Sequence, residues 1–158
     1  MKPVTFFGFI FIVLFSAFTK EVGRSEFYKA FSSKTERELD DMIVVLEKET
    51  SSSLNLAYLG ALYMKKAGFV KGVNSKVKTF KIGAQMLEVE ISKKPSNAEY
   101  RFLRLAVQEH APKILKYNKN LTEDKKLVAE AFKTFDPELK KIVKDYAASS
   151  AVIKMDDL

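Results

Sequence analysis

The chain has 158 residues, a formal net charge of +7 at pH 7 and no cysteine, so disulfides, thiolate nucleophiles and Cys-ligated metals are excluded. Its length suits one compact domain. Only 6 Gly and 4 Pro are present, which argues against turn-rich β architectures.

The basic surplus permits an anionic partner but does not demand one. Many basic residues stand beside acids, as in Glu36-Arg37-Glu38 and Glu47-Lys48-Glu49, a pattern of solvated helix faces. No nucleic-acid partner is expected. Lys113, Lys116, Lys119, Lys125, Lys126, Lys140, Lys141 and Lys144 make the C-terminal half positive, a patch that a membrane-surface role would use and that a solvated face explains equally well.

Lys2 and an apolar run from Val4 to Phe18 have the form of a signal peptide. The run is shorter than the ~20 apolar residues that a bilayer span needs. Ala17-Phe18-Thr19 offers a small-x-small cleavage site, so residues 1–19 are read as a signal peptide, with an uncleaved anchor as the alternative. Either form predicts export, to the periplasm or beyond. Membrane contact is expected only through this segment, if it is retained.

Residues 24–150 are expected to form a single helical domain. A short lead-in helix is predicted over 26–33, with Phe27, Ala30 and Phe31 on one face. Ser33-x-x-Glu36 and Thr35-x-x-Glu38 both fit a capping box for a second helix. Leu39, Met42, Ile43 and Leu46 give that helix its apolar stripe. A third helix, about 54–67, is apolar on nearly all sides and must be enclosed by neighbours. Gly60 costs it ~1 kcal/mol of propensity relative to Ala, which close approach of another helix would offset.

The fourth helix, about 75–93, carries Val77, Phe80, Ala84, Leu87 and Ile91 on one stripe and Ile82, Met86 and Val89 on a second. Leu59 and Leu87 are expected in the core. Asn97 opens a fifth helix, 97–110, packed through Phe102, Leu103, Ala106 and Val107. Thr122 is expected to cap a sixth helix bearing Leu127, Val128, Ala131 and Phe132. Asp136-Pro137 starts a seventh, with Leu139, Ile142, Val143 and Tyr146 inward. Residues 151–158 are expected to fray. No segment alternates with period two, so no strand is predicted. The predicted class is all-α, six to seven helices in antiparallel hairpins.

Leu56, Leu59, Gly60 and Tyr63, then Gly83, Leu87 and Pro95, have the spacing of a tetratricopeptide (TPR) hairpin, and Asn97 opens a helix where the next repeat would begin. Residues 54–110 thus resemble a degenerate TPR unit. The stretch between its half-motifs is about ten residues too long for the family's period. Glu90 stands in place of a small residue, and Arg104-Leu105 in place of Leu-Gly. The resemblance implies stacked hairpins that bind a protein or peptide in a groove; an irregular helical bundle is the alternative. Tyr100-Arg101-Phe102-Leu103-Arg104 also resembles segments of bacterial exported proteins, a likeness that implies no activity.

Catalytic signals are missing. His110 is the only histidine, and Glu109 next to it points about 100° away on a helix. It reads as a helix C-terminal residue, where a cation is favoured. There is no zinc-protease motif, EF-hand loop or P-loop, so no enzyme activity, metal or cofactor is expected. Asn97, Arg101, Arg104 and Gln108 form one polar stripe expected opposite the core side of the fifth helix. Two guanidiniums one turn apart can hold a carboxylate or phosphate, or pair with an acid such as Glu88 on a neighbouring helix. The candidate binding residues are Arg101, Arg104, Gln108, Tyr63 and Tyr100. The expected function is a non-enzymatic exported scaffold for an unknown protein or peptide partner. The alternative is a helical protein for a small anionic ligand.

Overall fold

A computed structural model of the chain describes residues 21–158. The expected export segment, residues 1–19, lies outside them. Among the described residues there are seven α-helices and no strand: α1 (Arg24–Ser32), α2 (Glu36–Lys48), α3 (Ser53–Lys66), α4 (Val73–Lys93), α5 (Ala98–His110), α6 (Leu121–Ala131) and α7 (Pro137–Ala147). The protein is all-α. None of these helices is long and apolar enough to cross a membrane.

Three starts follow their local chemistry. Ser52 accepts from the amides of Leu54 and Asn55 at the head of α3, Asn97 from Tyr100 N–H at α5, and Asp136 from Leu139 N–H at α7. Two starts differ from expectation. At α2 the Glu38 carboxylate takes the hydroxyls of Ser33 and Thr35 rather than a free amide, so no reciprocal box forms. At α6 the cap position is Asn120 and its side chain makes no capping bond, so Thr122 already lies inside the helix. Asn120 N–H is held instead by the Gln108 side-chain oxygen, which ties the start of α6 to α5.

The most extensive helix contact joins α3 to α4. Gly60 faces Leu87 while Gly83 faces Met64, so the two helices run antiparallel. A Cβ on Gly60 would stand 2.8 Å from the Gly83 carbonyl oxygen, and one on Gly83 would stand 2.4 Å from the Gly60 carbonyl oxygen. The backbones themselves meet, which only a pair of glycines allows. Gly72, with φ at +83°, makes the turn into α4 in a conformation that other residues avoid.

Around this hairpin, α1, α2 and α5 cover α3, and α6 packs on α5. Leu39, Leu46, Ala57, Tyr58, Leu62, Leu87, Leu103 and Leu105 are fully enclosed, and Leu59 is nearly so. Phe27 of α1 stacks flat on Tyr58 with ring centroids 3.7 Å apart. The second stripe of α4 remains largely outside the core: Ile82 and Val89 are exposed and Met86 is half-buried.

Residues 151–158, expected to fray, fold back onto the domain. Ile153 is fully buried, and Ser150 Oγ caps the turn by accepting from the amides of Val152 and Ile153. The cause is a docking carboxylate, Glu109, far away in sequence.

A buried polar spine along helix α5

Helix α5 is buried on almost every side, including the polar stripe that its sequence suggested would lie opposite the core. Arg101 is 8% exposed, Arg104 4% and Gln108 2%. All three converge on Asp124 of α6, which has no exposure. Arg104 grips it with two parallel bonds, Nε to Oδ2 and Nη2 to Oδ1, both 2.7 Å. Arg101 Nη1 reaches Oδ1 at 3.0 Å, and Gln108 Nε2 reaches Oδ2 at 2.7 Å. One carboxylate therefore accepts four donors, which is what a buried anion needs.

Most of the remaining donors are also used. Arg104 Nη1 binds Glu88 Oε2 of α4 at 2.8 Å, and Tyr117 OH binds Glu88 Oε1 at 2.7 Å. Arg101 Nε donates to the Pro95 carbonyl, and its Nη1 lies 3.2 Å from Glu123. Burial alone would lower the Arg104 pKa, but the bonds and charges of Asp124 and then Glu88 outweigh it and raise it. Burial first, then the Glu88 charge, pushes the Tyr117 phenol well above its usual value. Glu123 is held below the usual carboxylate range by Asn120 and then by Arg101.

Two further clusters sit at the ends of α5. At its first turn Glu99 is clasped by Arg24 of α1 through two 2.9 Å bonds, and Tyr58 OH of α3 donates to it at 2.6 Å. Arg24 also reaches Asp136 at 2.9 Å, which brings in the head of α7. Its pKa is raised by the bond to Glu99 above all, against the cost of burial. Burial and then the Glu99 charge keep Tyr58 protonated. At the last turn Glu109 accepts from Tyr146 OH, Ser150 Oγ and the Ala151 amide. Burial would raise its pKa, but these donors lower it on balance.

The expected site residues thus divide. Arg101, Arg104 and Gln108 are together, and all their side-chain polar atoms but Arg101 Nη2 are engaged by protein groups. Tyr100 is buried elsewhere, its pKa pushed up to about 12 by burial and then by the charge of Glu90. Tyr63 is half-buried and donates to Glu47 of α2; that bond, then burial, moves its pKa to about 12. His110 is exposed at the end of α5, with Nδ1 3.0 Å from the Ala106 carbonyl oxygen. Among the described residues no group of three or more His, Asp or Glu is placed to hold a metal ion.

Sequence reasoning missed Asp124, although a signal was there. Leu121, Asp124, Val128 and Ala131 share the inward stripe of α6, so an acid stands where an apolar residue belongs. The Arg24–Glu99 clasp had no such signal, because its partners are 75 residues apart.

Among the described residues, two shallow hollows open on the surface. One, of about 370 Å³, lies on the outer side of α4 between Asn74, Val77, Lys78, Lys81, Ile82 and Gln85. Another, of about 310 Å³, lies between α1 and α2 and is lined by Glu26, Lys29, Glu38, Asp41, Met42 and Val45, with Ala30 at its floor. Comparison of the chain with models of known families, with curated proteins and with solved structures gives no match.

Proposed function

We propose that the protein is a non-enzymatic, exported scaffold that binds a protein or peptide partner through the outward face of α4. The observation that carries this reading is the combination, on that face, of unopposed lysines and aliphatic side chains left outside the core. From Thr50 to Leu87 the sequence has six lysines and no acid. Lys78 and Lys81 have no ion pair among the described residues, whereas Lys66 is taken by Asp40. Ile82 is 43% exposed and Val89, two turns further along the same side, 44%. An apolar strip bordered by unpaired charge is the usual make-up of a docking surface.

The TPR-like spacing of α3 and α4 supports a scaffold, and the apolar run from Val4 to Phe18 supports export. The polar spine of α5 supports a structural rather than a catalytic use of its charges, since each guanidinium already holds a carboxylate. That engagement uses all three nitrogens of Arg104 and two of Arg101, which weighs for a surface partner over a small anionic ligand.

Photo-crosslinking in the producing cell tests the proposal. A photoreactive residue at Ile82 should yield discrete protein adducts that the same residue at Lys140 on α7 does not. Equal labelling from both positions, or none from Ile82, would overturn it.

A further inference from the structure

The two hollows on the surface have opposite charge and the same spacing. On α4, Lys78 and Lys81 stand at i and i+3, followed by Ile82 at i+4 and Gln85 at i+7. On α2, Glu38 and Asp41 stand at i and i+3, followed by Met42 at i+4 and Val45 at i+7. Both sets line shallow depressions of similar size, about 370 and 310 Å³. Each presents an aliphatic side chain to solvent, Ile82 on one and Val45, 46% exposed, on the other. The two patches share no residue and sit on different helices of the same domain.

From this pairing we infer that the partner of the α4 face is a second copy of this chain, whose α2 face it docks against. The inference rests on the scaffold reading above and names the occupant of that same face. Helices pack by setting side chains at i, i+3, i+4 and i+7 against one another, so two faces with one spacing align their charges and their apolar groups together. Lys78 and Lys81 meet Glu38 and Asp41, while Ile82 is covered by Met42 and Val45. The acidic face holds one opposing charge in its lining, Lys29, and Asp41 lies 3.9 Å from exposed Arg37. Those charges leave the lining acidic on balance. Glu38 is already oriented, since its carboxylate is fixed by Ser33 and Thr35. Because the two faces differ, the contact is head-to-tail: one copy uses its α4 and its neighbour its α2.

The test is the solution mass of the protein purified from its producing cells, measured by light scattering over a concentration series, with circular dichroism as the folding control. The wild type should associate, and association should weaken as salt screens the lysines and carboxylates. K78E/K81E and E38K/D41K, each folded, should weaken self-association by about tenfold or more. Mixing these two variants should restore association, because one still has the basic α4 and the other the acidic α2. The quadruple charge swap should associate again by itself.

A wild type that remains monomeric at about 1 mM, where even a Kd of that size would show, overturns the inference. So does association that neither charge reversal disturbs, or binding to anionic phospholipid vesicles by a protein that stays monomeric. Adduct mass separates this inference from the scaffold reading. An Ile82 adduct with a different protein, from a chain that is itself monomeric, leaves the scaffold standing and removes self-association alone.

Discussion

The α3–α4 hairpin and the α5–α6 pair are held by opposite means. Between α3 and α4 the closest contacts are backbone to backbone across Gly60 and Gly83, with Leu59, Leu62 and Leu87 around them. Between α5 and α6 the centre is ionic: one buried carboxylate under two guanidiniums and an amide. Apolar packing is graded, so a lost methylene is felt in proportion. A buried ion cluster is nearly all-or-none, since removing one partner strands the rest in a medium that cannot solvate them. The comparison teaches where this chain is fragile: not in its most apolar part but in its most charged one.

The largest expected effect tests that statement directly. Asp124→Ala leaves Arg101 and Arg104 facing each other without their shared anion and should cost ~3–5 kcal/mol in chemical denaturation. Replacing all three together, as R101M/R104M/D124L, should cost less, because no fully buried charge is left unpaired; Glu88 loses Arg104 but is 38% exposed and keeps the Tyr117 hydroxyl. Should Asp124→Ala lose under about 1 kcal/mol, the scale of a surface change, the ionic account of α5–α6 fails.

The apolar half breaks in a different way. Gly83→Ala should destabilise by ~1–3 kcal/mol, because the new methyl meets the Gly60 carbonyl, which is backbone and cannot swing aside. That loss comes in spite of a propensity gain of ~1 kcal/mol for Ala over Gly in a helix. Gly23→Ala is the control, since its Cβ would meet only the flexible Glu26 side chain at 3.5 Å, and it should stay within ~0.5 kcal/mol. Equal effects at the two glycines would mean that the helices do not cross as closely as described.

The smallest effect is local and depends on pH. Glu109 has a lowered pKa in the folded chain, so its contribution is complete above its ordinary value of 4.5 and is lost as pH falls through the lowered value. The stake is about 1 kcal/mol once solvent screening of this partly exposed carboxylate is allowed for. Acid should therefore loosen residues 150–158 before the helices. The readout is the protection factor of the Ala151 amide, its exchange rate divided into the intrinsic rate at the same pH, and Glu109→Gln should flatten most of its dependence on pH. Asp157, also lowered, chiefly by its bond to Lys125, leaves a smaller slope of the same sign. An Ala151 protection factor that is the same at neutral and acid pH would show that the tail is not held by Glu109.

By itself the sequence determined the helices. Ser52, Asn97 and Asp136 act through bonds to amides two or three residues on, so local chemistry suffices for those starts. The stripes of α2 and α7 lie inward as their spacing requires, and the all-round apolar character of α3 already implied enclosure. Even the α3–α4 crossing was foreshadowed by Gly60, a residue whose cost to a helix asks for a compensating contact.

What the sequence left undecided is which polar residues face inward. The stripe Asn97, Arg101, Arg104 and Gln108 reads as solvent-facing because charge is costly to bury, and that rule holds only while no counter-charge is near. The counter-charge comes from Asp124, some twenty residues away and on another helix. In the same way Arg24 finds Glu99, and Glu109 finds Ser150 and turns an expected loose end into an ordered strap. Ion pairs and docked tails across a fold depend on distances that the chain acquires only after its helices pack. Periodicity reports the preference of each helix for a face, and tertiary structure alone decides which opposing group makes a charged face fit to be buried.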